Sequence, residues 1–115
     1  MKVAMIIVNY NDSEDILEYV GKIREYKTID RIIIVDNKSS KEGELEALKT
    51  LENDKVKVIE SDKNGGYAYG NNFGISYLEK DQDISSEHNS ANKDTAESKP
   101  FKLFTLKVTV PPRIE

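Results

Sequence analysis

The sequence predicts a three-layer α/β/α fold around a mainly parallel sheet. Three observations carry that expectation. Val3 to Val8 and Ile32 to Val35 are unbroken apolar runs rich in β-branched residues, the pattern of strands buried on both faces rather than one. A polar turn and then apolar residues at helical spacing follow each run. The resulting order of strand, helix, strand, helix, strand, helix is that of parallel strands joined by right-handed crossovers.

Each element can be justified in turn. The first strand ends at Asn9-Tyr10-Asn11. Asp12 and Ser13 are good helix N-cap residues, and Asp15 adds a carboxylate where the helix dipole favours one. Ile16, Leu17, Val20 and Ile23 share one helical face, predicting a helix to about Lys27. The second strand, Arg31 to Val35, ends at Asp36-Asn37, and Lys38 to Gly43 is a polar loop. Leu45, Leu48 and Leu51 mark a shorter second helix, and Val56, Val58 and Ile59 a third strand. Asn64-Gly65-Gly66 is a sharp turn, because glycine takes positive φ freely and asparagine tolerates it best among the rest. A third helix runs from Tyr67 to about Glu79, weakened by Gly70 and Gly74, whose use would be close approach to the sheet or to a ligand.

Beyond Lys80 the character changes. Asp81 to Lys99 holds one large apolar residue, Ile84, and such a stretch buries too little surface to offset its ordering entropy. Phe101 to Val110 then alternates apolar and polar residues, as a half-buried strand does, until Pro111-Pro112 stops it. The organisation expected is therefore a βαβαβα unit over 1–80, a disordered polar linker over 81–99, and a strand-like tail over 100–115 that adds one edge strand. A sheet left without its neighbours would expose an edge and invite self-association.

Composition narrows the function classes. At 115 residues the chain holds one ordinary domain. A net charge of −4, with lysines interleaved among acids, argues against a nucleic-acid partner. The absence of cysteine excludes disulfides and thiolate metal sites and is compatible with a reducing compartment. Met1 to Val8 is too short to span a membrane and lacks a signal-peptide cleavage site. His88, the single histidine, lies in the polar stretch without neighbouring ligands and reads as a solvated loop residue.

Ligands of open parallel sheets bind outside the carboxyl ends of the strands, and all three polar clusters fall on that rim. Asp36 is an acceptor-only carboxylate suited to a base N–H or ribose hydroxyls, or else simply a turn residue with Asn37. Tyr10 offers a ring face and a hydroxyl, or ordinary packing. Asn64-Gly65-Gly66 lets backbone approach a ligand and opens a helix N-terminus that favours anions. Asn71-Asn72 are poor helix formers side by side and point to polar contacts. A dinucleotide fold would need Gly-x-Gly-x-x-Gly after the first strand, which is absent.

The three segments Ile6-Ile7-Val8-Asn9-Tyr10-Asn11, Ile32-Ile33-Ile34-Val35-Asp36-Asn37-Lys38-Ser39-Ser40 and Asn64-Gly65-Gly66-Tyr67-Ala68-Tyr69-Gly70-Asn71-Asn72-Phe73-Gly74-Ile75 together resemble the inverting family-two glycosyltransferases of the GT-A, Rossmann-like fold, and among them the rhamnosyltransferase-like members. The resemblance covers Met1 to about Lys80. It implies a nucleotide-binding half in which Asn9, Tyr10, Asn11, Asp36, Asn37, Asn64, Gly65, Gly66, Asn71 and Asn72 line the pocket for a nucleotide-diphosphate sugar. It also implies transfer of that sugar to a hydroxyl of an acceptor glycan or lipid-linked glycan, with a divalent cation (Mg or Mn) on the leaving diphosphate. The setting implied is cytoplasmic or peripheral at the inner face of the membrane.

The departure from the family lies in the tail. A hydrophobic strand ending in an Asp-x-Asp metal motif is expected after the third helix. Asp81-Gln82-Asp83 has the letters, making Asp81 and Asp83 the metal candidates, but no hydrophobic strand precedes it. No catalytic base is identified. A truncation joined to unrelated sequence, a frameshifted end and a divergent remnant all fit such a tail. The alternative function is a non-catalytic nucleotide-binding or interaction module.

Overall fold

The structure, a computed structural model, describes residues 2–85 and 101–106. Strands β1 (Lys2–Asn9), β2 (Arg31–Asp36), β3 (Val56–Glu60) and β4 (Phe101–Leu106) form one sheet in the order β3-β2-β1-β4, all pairs parallel. Helices α1 (Ser13–Ile23), α2 (Glu44–Lys49) and α3 (Tyr67–Ser85) complete the three layers.

The chain advances from β1 to β2 to β3, then returns past β1 to place β4. Right-handed crossovers put α1 and α2 on one face during the advance and α3 on the other after the reversal. The core divides accordingly. Ile7, Ile32, Ile34, Val56 and Val58 meet Ile16, Val20 and Ile23 of α1 and Leu48 and Leu51 from the α2 region. Ala4, Ile6, Ile33 and Val35 meet Leu78 of α3, with Phe73, Ile75 and Tyr77 partly buried beside them. Successive strand residues point to opposite faces, so β1 and β2 must be apolar at nearly every position. β3 lies at the edge, where only Val56 and Val58 are buried and Lys57 is solvated.

Three boundaries differ from the expectation. α1 stops at Ile23, not near Lys27, because Glu25, Tyr26, Lys27 and Thr28 are exposed and supply no further buried position. α2 ends at Lys49, and Leu51 reaches the core from the turn after it. α3 runs through Ser85, five residues into the stretch expected as a linker, where Glu79, Lys80 and Gln82 are all good helix formers. Of the linker, residues 86–100, with His88, lie outside the described residues, as do 107–115 of the tail. The edge strand is present and joins β1, pairing Lys2 with Phe101 through Ile7 with Leu106.

Gly70 and Gly74 explain how α3 lies on the sheet. A Cβ at Gly74 would stand 2.8 Å from Ile6 Cγ2 and 2.9 Å from Val35 Cγ2. At Gly70 it would meet Val8 Cγ1 at 2.9 Å and Asn37 Oδ1 at 3.0 Å. The glycines permit close approach, the first of the two uses expected for them.

Candidate functional site

The parallel register sets Asn9, Asp36 and Glu60 in one row across the carboxyl ends of β1, β2 and β3. The order of strands reverses beside β1, which is where open α/β sheets form a ligand crevice. Tyr10, the first residue past β1, is 41% exposed. Asn11 and Lys38 follow β1 and β2 with φ of 61° and 58°. Left-handed backbone at a non-glycine residue costs on the order of 1 kcal/mol, and here it turns both loops sharply at the same rim.

Asp36 and Asn37 point to opposite faces, and each anchors one side of the rim. Asp36 is 2% exposed. Its Oδ1 accepts from Asn9 Nδ2 at 2.9 Å and from Ser39 Oγ at 2.6 Å. Its Oδ2 accepts only the Ser39 N–H, at 3.3 Å, and so retains acceptor capacity. Asn37, also 2% exposed, donates from Nδ2 to Gly66 O at 2.8 Å and Asn64 Oδ1 at 3.3 Å. Its Oδ1 accepts from Ser61 Oγ at 2.9 Å. Asn64 Oδ1 also accepts the Gly66 N–H at 3.2 Å, and Gly66 itself has φ of 94°. Asn37 thus ties the Asn64-Gly65-Gly66 turn, and with it the start of α3, to the end of β2.

Asn9 is fully buried. Two Nδ2 protons serve three acceptors: Asp36 Oδ1 at 2.9 Å, Glu44 Oε1 at 3.0 Å and Ser39 Oγ at 3.3 Å, the last being the weakest. Its Oδ1 accepts the Asp12 N–H at 3.0 Å. Asn11 binds across to the second loop, its N–H donating to Ser39 Oγ at 2.9 Å and its Nδ2 to Ser40 Oγ at 3.0 Å.

Glu44 is the site residue that sequence reasoning missed. It opens α2, yet its carboxylate is buried against the start of α1. Ser13 N–H reaches Oε1 at 3.1 Å and Ser13 Oγ reaches Oε2 at 2.8 Å. Asp12, the expected cap, makes no side-chain cap bond; Glu44 supplies the anion there instead. Burial opposes its ionisation, but the hydrogen bonds from Asn9 and Ser13 and the charge of Lys41 outweigh that, holding the carboxyl below its ordinary range. The only signal in the sequence was an acid at a helix start, which is commonplace.

The remaining candidates stand apart. Asn71 and Asn72 belong to α3. Asn71 Oδ1 is buried without a hydrogen-bond partner among the described residues. Asn72 is exposed and lines, with Tyr69, Phe73, Ser76, Tyr77 and Lys80, a groove of about 380 Å³ on the outer flank of α3. Tyr69 donates its hydroxyl proton to Asp62, beside the turn.

Residues 4–82 match the sequence profile of glycosyl transferase family 2. The chain belongs to that family. A low-salt glycan biosynthesis hexosyltransferase of Haloferax volcanii is 36% identical over 74 residues, which cover 64% of this chain and 22% of the relative. The chain therefore spans about a fifth of the length of that relative. The segment matched by the family, residues 4–82, contains the whole described rim.

Members of the family generally use a divalent cation. The described residues do not fit one: no group of three or more His, Asp or Glu among them stands close enough to hold a metal. Asp36 and Glu44 are linked through Asn9, and their oxygens face N–H and O–H donors. Asp81 and Asp83 lie on α3, and their side chains lie outside what the structure describes. No helix among the described residues is long and apolar enough to cross a membrane.

Proposed function

We propose that this chain carries the nucleotide-binding half of a glycosyltransferase that takes a nucleotide-diphosphate sugar and transfers the sugar to a hydroxyl acceptor in glycan or polysaccharide synthesis. The observation that carries the reading is the convergence of Tyr10, Asp36 and the Asn64-Gly65-Gly66 turn at one rim, where Asn9 bonds Asp36 and Asn37 bonds the turn. Its chemistry suits a nucleoside. The free lone pair of Asp36 Oδ2 is an acceptor for a base N–H or a ribose hydroxyl. Tyr10, exposed at the rim, offers an aromatic ring on which a base can stack. The backbone at the start of α3 favours an anion such as the diphosphate. Asn9 supports the rim from beneath, and Asn11, Asn37 and Gly66 shape its loops. No described residue is assigned as catalytic base, and no step is routed through a metal ion.

The rim residues are equally compatible with a second reading. In it the same rim serves a nucleotide-binding module without chemistry of its own. Calorimetric titration with UDP, dTDP and GDP, with and without Mn²⁺, separates the two. Binding enhanced by Mn²⁺ supports the enzyme half, weak metal-independent binding supports the module, and a folded chain that binds none of the three contradicts both. On either reading Asp36→Ala weakens binding about tenfold, as loss of a hydrogen bond to a charged group would. Unchanged affinity in a folded variant would remove Asp36 from the site.

A further inference from the structure

We infer that Glu44 is a positioning residue for the nucleotide rim, setting the Asp36 carboxylate through the Asn9 amide; the inference rests on the nucleotide-binding reading above. Three elements meet at its carboxylate. One oxygen takes Asn9 Nδ2 from the end of β1 and Ser13 N–H from the start of α1, at 3.0 and 3.1 Å. The other takes Ser13 Oγ at 2.8 Å. Asn9 then passes its second amide proton to Asp36 Oδ1 at 2.9 Å. An unsubstituted amide has two protons and one plane. When Glu44 fixes one proton, the other is aimed at Asp36, and the same plane turns Asn9 Oδ1 toward the Asp12 N–H. This chain of bonds occupies Asp36 Oδ1 and leaves Oδ2 as the oxygen for a ligand.

The arrangement is more than a helix cap. A cap would need only the Ser13 contacts, and an aspartate or serine on α1 itself would supply them. Glu44 instead reaches across 35 positions of sequence to a wholly buried Asn9. Placing an anion beneath Asn9 is costly unless the bond it makes is used. The position it controls, the direct register partner of Asp36 on the neighbouring strand, is the floor of the rim.

The test separates positioning from capping by comparing variants of the full chain for UDP affinity and for the Asn9 side-chain amide signals in NMR. Glu44→Ala is expected to weaken UDP about tenfold and to move the Asn9 amide signals toward those of a solvated side chain. Glu44→Gln keeps an acceptor oxygen for Asn9 and Ser13 N–H and should stay within about threefold of the parent. Ser13→Ala removes half the cap without touching Asn9; it should lower the melting temperature and leave UDP affinity and the Asn9 signals in place. The double variant Asn9→Ala, Glu44→Ala should bind no worse than Asn9→Ala alone, as links in one chain do. If Glu44→Ala does not fold, Glu44→Asp, one methylene shorter, carries the same test. Parental affinity in folded Glu44→Ala or Glu44→Asp, or an equal loss in Ser13→Ala, would overturn the inference. If the parent binds no nucleotide, the functional reading fails by itself. The Asn9 signals of the unliganded variants then decide the positioning role: displaced by Glu44→Ala it stands, unmoved it falls.

Discussion

The two faces of the sheet are built by different rules. Under α1 and α2 the space is filled by side chains: eleven buried apolar residues from five elements and the loops between them form one cluster. Under α3 it is closed by omission. Gly70 and Gly74 bring the helix backbone against Val8, Ile6 and Val35, and among the residues whose burial is described Ala4, Ile6, Ile33, Val35 and Leu78 are buried there. The filled face behaves as an ordinary core that resists cavities. The close-packed face resists added atoms, and one of its glycines, Gly70, lies against Asn37, a residue of the rim. Both faces therefore reach the candidate site, α3 through Gly70 against Asn37 and the helices α1 and α2 through Ser13, Glu44 and Asn9.

The sharpest way to break this comparison is to empty the filled face. Ile34 is fully buried at its centre, and Ile34→Ala is expected to cost about 2–5 kcal/mol in urea unfolding, the range for isoleucine truncation in a core. A loss well under 1 kcal/mol would show that this face is loosely packed. Next comes one substitution with opposite signs on the two faces. Gly74→Ala gains about 1 kcal/mol in helix propensity but forces a methyl against two β-branched side chains that have little rotamer freedom, at a cost of about 1–3 kcal/mol; net destabilisation is expected. Gly21, on α1, has nothing within 4 Å of the added Cβ, so Gly21→Ala should stabilise by about 0.5–1 kcal/mol. Thermal melts of the pair check both signs, and the same sign in both would refute the contrast.

The smallest effect belongs to Glu44. Its folded carboxyl titrates below its ordinary range, so its contribution to stability is present above the unfolded value, near 4.5, and is lost as pH falls through the folded one. Melting temperatures of the parent and Glu44→Gln should therefore converge on acidification from pH 7 to pH 3. Parallel curves would show that the ionised form is not what the fold stabilises.

Much of the fold was legible because local pattern and tertiary role coincide. β1 and β2 are apolar at successive positions because both their faces are covered, and no one-faced strand needs that. The turn at Asn64-Gly65-Gly66 and the two α3 glycines announced themselves through backbone requirements. The rim was legible as a place, since all three polar clusters end parallel strands. What each residue does there was not. Asn9 looked like a ligand residue and is a buried amide with its donors and acceptor engaged inside the protein. Glu44 was not singled out at all, because its partners Asn9 and Ser13 lie 35 and 31 positions away and no periodicity encodes that pairing. The end of α3 was placed too early because solvated Glu, Lys and Gln continue a helix as readily as they form a loop.

The central claim, that the carboxyl-end rim of β1, β2 and β3 binds a nucleotide, is tested most directly by mapping backbone amide NMR shifts during titration with UDP, dTDP or GDP. The account predicts saturable shifts confined to Tyr10 and Asn11, Asp36 through Ser39, and Asn64 through Tyr67, with the far ends of the strands still. Shifts centred instead on the outer groove of α3, around Phe73 and Tyr77, or no shifts with any of the three nucleotides, would contradict it.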